Sequence, residues 1–428
     1  MSDEKAPRRK LWLILAALLA LFVVVHSSCS VIAGRRLASL AEQMEERWGD
    51  MSWRSLAPAK IERADNRAPV LRAAAELVVL EQPQRKTVGD FILFRGEPDM
   101  ALADGVREAL DDNRLALGLL GEAVKRPGSN WNIPYRKGPE ADIPPLLGML
   151  NLSRLNAARA VLAVAEGRVQ EAAGAIEEGL ALCSSFQDEP VLIIQLVRIA
   201  MEWRQLGALR ELLMRTEPDG PTLTGLQRRV ARNNETDGIH LGTLGETKVM
   251  FGTIRDIANG NTSLVKTDLP KAMRSGVVTW LMRPVLRSDA RAYLEKMSGV
   301  LEDQALLYYR RPVNPPTREP AFYQVMTKLY VPNMLSATQR GSLAQARAMV
   351  AETALALRRY RIDHGGYPDG LEPLVPDYMD ERPVDPFTGA APDYRRDGKG
   401  FVLKSEGEEL AIELPTKMDR VLVWRIPH

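Results

Sequence analysis

The chain is short of the residues that most often announce chemistry. Among 428 residues it has two cysteines, Cys29 and Cys183, and four histidines, His26, His240, His364 and His428. Two cysteines exclude a disulfide framework and every paired Cys-x-x-Cys metal arrangement. Histidines this scattered provide neither a two-histidine helix face nor a local ligand set, so no metal site is expected. Charge of one sign is missing too. With 57 basic against 55 acidic residues the net charge is +2, too weak a field to hold a polyanion, and nucleic acid is not an expected partner. No HExxH, phosphate loop, GxGxxG after a strand or GxSxG elbow occurs, which removes the usual spacings for metal, nucleotide and acyl chemistry. No cofactor is implied, and the sequence leans away from an enzyme.

A long apolar run is present. Lys5, Arg8, Arg9 and Lys10 precede fifteen unbroken apolar residues, Leu11 to Val25, and the weakly polar continuation to Gly34 extends the segment to 24. At about 1.5 Å per residue the apolar part spans roughly 22 Å and the whole roughly 36 Å, against a hydrocarbon layer near 30 Å. The segment Leu11 to Gly34 is therefore expected to hold the chain in a membrane. Four basic residues before it outweigh Arg35 and Arg36 after it, which favours a cytoplasmic N-terminus. The expected location is a bacterial inner membrane, crossed once, with the body periplasmic or otherwise extracytoplasmic. Two alternatives keep the body exported: cleavage after the small residues Ser28 and Ser30, or a lipoprotein signal ending at Cys29, where His26 replaces the expected aliphatic residue.

The remainder is long enough for two or three domains, and 45% hydrophobic residues suffice for ordinary cores. Apolar spacing predicts helices over Leu37 to Trp48, Ala68 to Leu80, Ala103 to Val124, Pro144 to Glu166, Val169 to Cys183 and Pro190 to Leu206. The stretch "AEGRVQEAAGAIEEGLAL", with Gly167, Ala172 and Gly179, imitates half of a tetratricopeptide unit. The other half is missing, since Asn156, Arg159 and Ala160 stand where that repeat wants Trp, Leu and Gly. An irregular stack of helical hairpins is the expectation, each pair covering the apolar face of its neighbour. Residues 217–275, rich in Gly, Asn and Thr, read as a loop over the helical surface. Helix then resumes at "VVTWLMRP", broken at Pro284, until the proline-rich "RRPVNPPTREP". The implied organisation is a tail and anchor at 1–34, a helical connector at 35–100, an α-helical hairpin domain at 101–335 and an α+β domain at 336–428.

One constellation invites a test for chemistry. "DGIHLGTLGE" sets His240 near Asp237 and Glu246, the kind of loop that can hold a general base. An exported enzyme with a site assembled from distant residues near His240 is thus the alternative to a non-catalytic role. Paired carboxylates such as Glu177 and Glu178, or Glu408 and Glu409, are adjacent in sequence and point apart.

The C-terminal part begins with Leu343, Ala346, Val350, Thr353, Leu357 and Tyr360 on one helical stripe, with Ser342 as a candidate cap and Gly365 or Gly366 as the left-handed closing residue. Pro368 blocks resumption, Asp369 and Glu372 have capping-box spacing, and Asp385-Pro386 to Gly389 has turn chemistry. Strands are predicted at Gly400 to Lys404, Leu410 to Leu414 and Val421 to Ile426. Tyr360, Gly365, Tyr367, Pro368, Leu371, Leu374, Val375, Asp385, Pro386 and Gly389 match a "YxxxxGxYP", "L..LV" and "DPxG"-like order. Over about the last 90 residues this resembles the globular head of the major pseudopilin of type II secretion. The whole chain is similar to an uncharacterised bacterial family of membrane-anchored helical proteins that carry this head, a likeness that includes "NIPYRKG".

The resemblance implies a mainly α fold, with an N-terminal transmembrane helix, a hairpin body and a small α+β pseudopilin-like head. It implies envelope location and a link to secretion or pilus-like systems, but little chemistry. Two departures matter. Lys10 meets Leu11 without the Gly-Phe of a pilin, and no acid lies inside the apolar run, so polymerisation as a pilin is not implied. Ser405, Gly407 and Asp419 only echo the pseudopilin calcium loop and supply too few oxygens for six ligands. The expected role is a membrane-anchored extracytoplasmic interaction or scaffold protein with an envelope protein partner, its turn residues determining fold rather than catalysis.

Overall fold

A helix whose first half touches almost nothing opens the structure. In the computed structural model, which describes residues 5–92, 98–235, 237–259, 275–311, 321, 323–408 and 422–428, helix α1 runs from Lys5–Trp48 without a break. Leu11 to Val25 are exposed along it, whereas Leu37 and Met44, on the same helix, are buried in the body. One continuous rod thus joins an apolar, unpacked segment to a packed one. It is long and apolar enough to cross a membrane.

The body is mainly helical. Helices α2 (Ala68–Leu77), α3 (Gln84–Phe91), α4 (Ala103–Asp112) and α5 (Arg114–Ala123) lean on α6 (Leu146–Ala165) and α7 (Val169–Ser184), against which α8 (Leu192–Arg215) packs, and α9 (Gly220–Asn234) follows. Residues 103–124 therefore form two helices instead of one. The reason is Asn113, whose amide donates to the carbonyls of Val79 and Ala109 at 2.8 Å while its oxygen accepts the Val79 N–H at 2.8 Å. A side chain that pairs with a neighbouring strand of backbone ends one helix and begins the next.

Helices α6, α7 and α8 form the centre. Gly167 turns α6 into α7 with φ of 73°, a conformation open to glycine at little cost. Asn156 of α6 donates to the Ala175 carbonyl at 2.7 Å and to Gln205 of α8 at 3.2 Å, and Gln205 donates to the Ser153 carbonyl at 3.0 Å. Gly179 makes room for this exchange, because a Cβ there would lie 2.5 Å from the Asn156 amide nitrogen. The residue that departs from the tetratricopeptide pattern therefore has a structural use, as a buried polar tie that must be satisfied to be tolerated.

A second core joins α1 to α10 (Gly238–Ala258), α11 (Gly276–Gln304) and the start of α12 (Val325–His364), through Met44, Phe251, Tyr293, Leu294, Met297 and Leu301. Helix α11 passes through Pro284 without ending, a correction to the expected break. Helix α12 crosses residue 335 uninterrupted, and its latter half shares one apolar core with α6 to α9. Ser342 is consequently an interior residue of α12, its hydroxyl donating to the Thr338 carbonyl at 3.3 Å, and not a cap.

After α12 the chain forms turns and an antiparallel sheet in the order β1-β2-β3: β1 (Asp393–Asp397), β2 (Gly400–Lys404) and β3 (Val423–Ile426). The sequence pattern misses β1, whose residues Asp393, Tyr394, Arg395, Arg396 and Asp397 lack apolar alternation and sit largely exposed at the sheet edge. The strand expected at Leu410 to Leu414 lies outside the described residues. Phe401, Leu403, Trp424 and Ile426 turn inward to the main core.

Candidate functional site

The proposed loop at 217–275 is mostly helix. Asp219 accepts the Thr222 N–H at 2.9 Å to start α9. Asp237 accepts the N–H groups of Ile239 and His240, both at 3.1 Å, to start α10. Both are ordinary N-caps. The glycines are explained by approach, not by turning: Gly238, Gly242 and Gly245 lie on one face of α10 against the beginning of α8. A Cβ on Gly242 would lie 2.8 Å from the Leu192 Cα, and one on Gly245 would collide with the Pro190 carbonyl oxygen. Residues 260–274 lie outside the described residues.

His240 is therefore in the first turn of a helix, and its ring centroid is 5.1 Å from that of Trp48. Burial lowers its pKa, partly opposed by Asp237. Asp237 is engaged with backbone, while burial raises the pKa of Glu246, partly opposed by a hydrogen bond from the Leu192 backbone. Neither of the two cavities beside α12 is lined by His240. The three residues close in sequence are a cap, a packed imidazole and a carboxyl facing α8. They do not meet at a reacting centre.

The turn residues from Tyr360 onward hold the end of α12 to the sheet. Tyr360 stacks on His364 at 4.0 Å between centroids and meets Tyr378 edge-on at 5.5 Å. Gly365 closes α12 with φ of 75°. Tyr367 donates to the His428 carbonyl at 2.8 Å and packs on Phe401, and the Pro368 carbonyl accepts from the Tyr394 hydroxyl at 2.7 Å. Leu371 and Leu374 are buried in the main core. The expected capping box is absent: Asp369 pairs with Arg396 at 2.8 Å and Glu372 with Arg382 at 2.5 Å. The short turn Glu372–Leu374 begins without a side-chain cap.

Asp385 organises the last turn. Wholly buried, it accepts the Phe387 N–H at 2.9 Å and the Glu406 N–H at 2.8 Å, and its own N–H donates to the Ala390 carbonyl at 2.8 Å. The Pro386 carbonyl accepts from Tyr309 at 3.1 Å, and Gly389 takes φ of 73° where Tyr309 leaves no room for a Cβ. Ser405 is buried, and Gly407 packs against the Phe387 ring; Asp419 lies outside the described residues. Among the described residues no group of three or more His, Cys, Asp or Glu side chains is placed to hold a metal ion.

A groove of about 400 Å³ opens where α12 meets the segment 379–386. Gln345, Met349 and Glu352 of α12 form its floor, and Asp380, Glu381 and Arg382 its rim. Burial raises the pKa of Glu352, and nearby Asp380 raises it further. Arg382 is engaged by Glu372, which leaves the groove with an excess of negative charge. Among the described residues no hydroxyl, thiol, amine or imidazole lines it, so the arrangement can seat a cationic group and has carboxylates as its reactive side chains. Sequence reasoning did not find this groove. The available signal was Glu352, the one charge between Arg347 and Arg358 in an otherwise nearly apolar stretch of α12.

Next to the groove lies a smaller cavity of about 40 Å³, lined by Arg198, Glu202 and Asp237 and sharing Asn234 and Gln345 with it. Arg198 donates to Gln195 at 3.1 Å and to the Asn233 carbonyl. Burial raises the pKa of Glu202 against the opposing pull of Arg198 and Arg347. Its volume suits one or two waters.

No protein-family model, curated protein or solved structure matches the chain.

Proposed function

We propose that the protein is a membrane-anchored extracytoplasmic interaction or scaffold protein of the bacterial envelope, its head resembling that of the major pseudopilin and its role lying beside a secretion or pilus-like system. The observation that carries this reading is α1: an exposed apolar segment of membrane length that continues as one helix into the packed body. A body tied to its anchor by an unbroken helix is held close to the bilayer, where it meets neighbouring envelope proteins. The acidic groove at Glu352, Asp380 and Glu381 supports the second half of the reading, as a seat for a basic side chain of such a partner.

A reporter active only outside the cytoplasm, fused after Pro427, is expected to give signal, with the full chain staying in the membrane fraction through a high-salt wash. Signal from a cytoplasm-active reporter alone overturns the proposal. Pull-down from gently solubilised membranes is expected to recover an envelope partner, and the combined Glu352→Gln, Asp380→Asn and Glu381→Gln variant to lose it. Retention of the partner by that variant removes the groove from the proposal.

A further inference from the structure

We propose that the first two turns of α11 enter the leaflet nearest the body beside α1, so that the protein meets lipid through two parallel helices; this rests on α1 spanning the bilayer. The two helices run side by side in the same direction. Phe22 faces Trp280 at 6.4 Å between ring centroids, Arg287 donates to the Ser30 carbonyl at 2.8 Å, and Arg47 pairs with Glu302. His26 packs on Trp280 at 4.0 Å, and its Nε2 lies 3.2 Å from the Leu281 carbonyl. That carbonyl only accepts, so Nε2 carries the proton. Phe22 belongs to the fifteen-residue apolar run. Whatever medium surrounds Phe22 also surrounds Trp280.

The composition of α11 changes at the level where α1 leaves its apolar run. Gly276 to Met282 contain no charge, and Val277, Leu281 and Met282 are 68%, 42% and 36% exposed. The next residue, Arg283, donates to the Ala258 carbonyl at 2.8 Å, and Arg287 binds α1 one turn later. These two cations follow the uncharged start of α11, and Arg35 and Arg36 lie further along α1, so positive charge stands on the headgroup side of the apolar turns. From Arg283 down to Val277 is about 9 Å of helix, the depth at which an interfacial helix buries its apolar face. Tryptophan at this level is what a membrane interface favours. The first N–H groups of α11 have no intrahelical acceptor, which sets a limit on depth and holds the helix start near the headgroup boundary. Exposed in water, the same apolar cluster would be an unfavourable patch continuous with the anchor.

The experiment uses the full chain with Cys29→Ala, leaving Cys183, which is wholly buried and does not label. Nitroxides are placed separately at Val277→Cys, at Leu18→Cys in the anchor and at Asp104→Cys on the exposed face of α4, in vesicles of phosphatidylethanolamine and phosphatidylglycerol. The ratio of oxygen to nickel-chelate accessibility at 277 is expected to exceed that at 104 several-fold and to approach that at 18. A lipid-like label at 18 with a water-like label at 277 overturns this inference and leaves the anchor standing. A label at 277 shielded from both reagents means that protein covers it, which also overturns the inference. Water-like behaviour at 18 overturns the spanning reading itself. Unchanged helical circular dichroism in each variant verifies the fold.

Discussion

Helix α10 and the connector from Tyr360 to Gly389 are both rich in glycine and polar residues, and the glycines work differently in each. In α10, Gly238, Gly242 and Gly245 keep helical conformation and let the start of α8 come close enough for backbone to touch backbone. In the connector, Gly365 and Gly389 take positive φ and reverse the chain. Composition is nearly silent on the difference, whereas spacing speaks. Glycines at intervals of four and three residues form a helical face, and a glycine after the last residue of an apolar stripe, followed by proline, is a stop. The first pattern was available in "DGIHLGTLGE" and was masked by the general association of glycine with loops.

The largest expected effect falls in the connector, on a residue that is not glycine. Asp385→Ala leaves the buried N–H of Phe387 and the part-buried N–H of Glu406 without their acceptor. An orphaned buried donor costs about 1 to 3 kcal/mol, and the part-buried one falls at the low end, so the loss is expected to be about 4 kcal/mol in denaturant unfolding of the detergent-solubilised chain. Asp385→Asn retains one acceptor oxygen and should lose about half as much. Equal stability of the alanine variant and the parent would mean that the turn is held by apolar contacts alone.

Next comes the helical face. Gly245→Ala places a Cβ against the Pro190 carbonyl, and neither partner is the free end of a flexible side chain. The expected loss is about 3 kcal/mol, at the upper end for overpacking, seen as a lower unfolding midpoint. A neutral result would show that α10 and α8 stand further apart than the glycine face implies. Gly365→Ala is the milder counterpart, since nothing lies within 4 Å of its Cβ and only the left-handed backbone objects. It should lose about 1 kcal/mol. The contrast between Gly245 and Gly365 therefore predicts that crowding outweighs backbone strain by about threefold.

These residues also show where a single sequence informs and where it does not. The long apolar helix, the central helices, a closing glycine at the end of α12 and strand β2 follow from local periodicity and composition, because each is decided by its own residues. Strand β1 does not, since Asp393 to Asp397 pair with β2 through backbone atoms that any side chain permits. The groove is a product of distant segments: Glu352 on α12 meets Asp380 only because the Val375 to Tyr378 turn folds back along the helix. The constellation at His240 failed for the opposite reason. Proximity in sequence suggested a site, and the helix then assigned Asp237 to backbone and His240 to Trp48.

The smallest effect concerns charge at the same junction that Gly245 crowds. Glu189 immediately precedes Pro190; it accepts the Tyr135 hydroxyl at 2.6 Å and the Trp131 N–H at 3.3 Å, and it is nevertheless raised in pKa, chiefly by burial. Both hydrogen bonds favour the ionised form, while nearby Asp188 works with burial against it. A carboxyl whose folded pKa is raised above its ordinary 4.5 contributes stability that is fully present below that value and is lost as pH rises through the folded pKa. The folded state binds the proton more tightly than the unfolded chain, so unfolding releases it. Glu189→Gln keeps an oxygen to accept from Tyr135 and carries no charge. Unfolding midpoints measured from pH 4.5 upward should therefore fall more steeply for the parent than for the variant, and the two curves should converge toward the acidic end. Parallel curves would show that Glu189 ionises without cost, and that water reaches the start of α8.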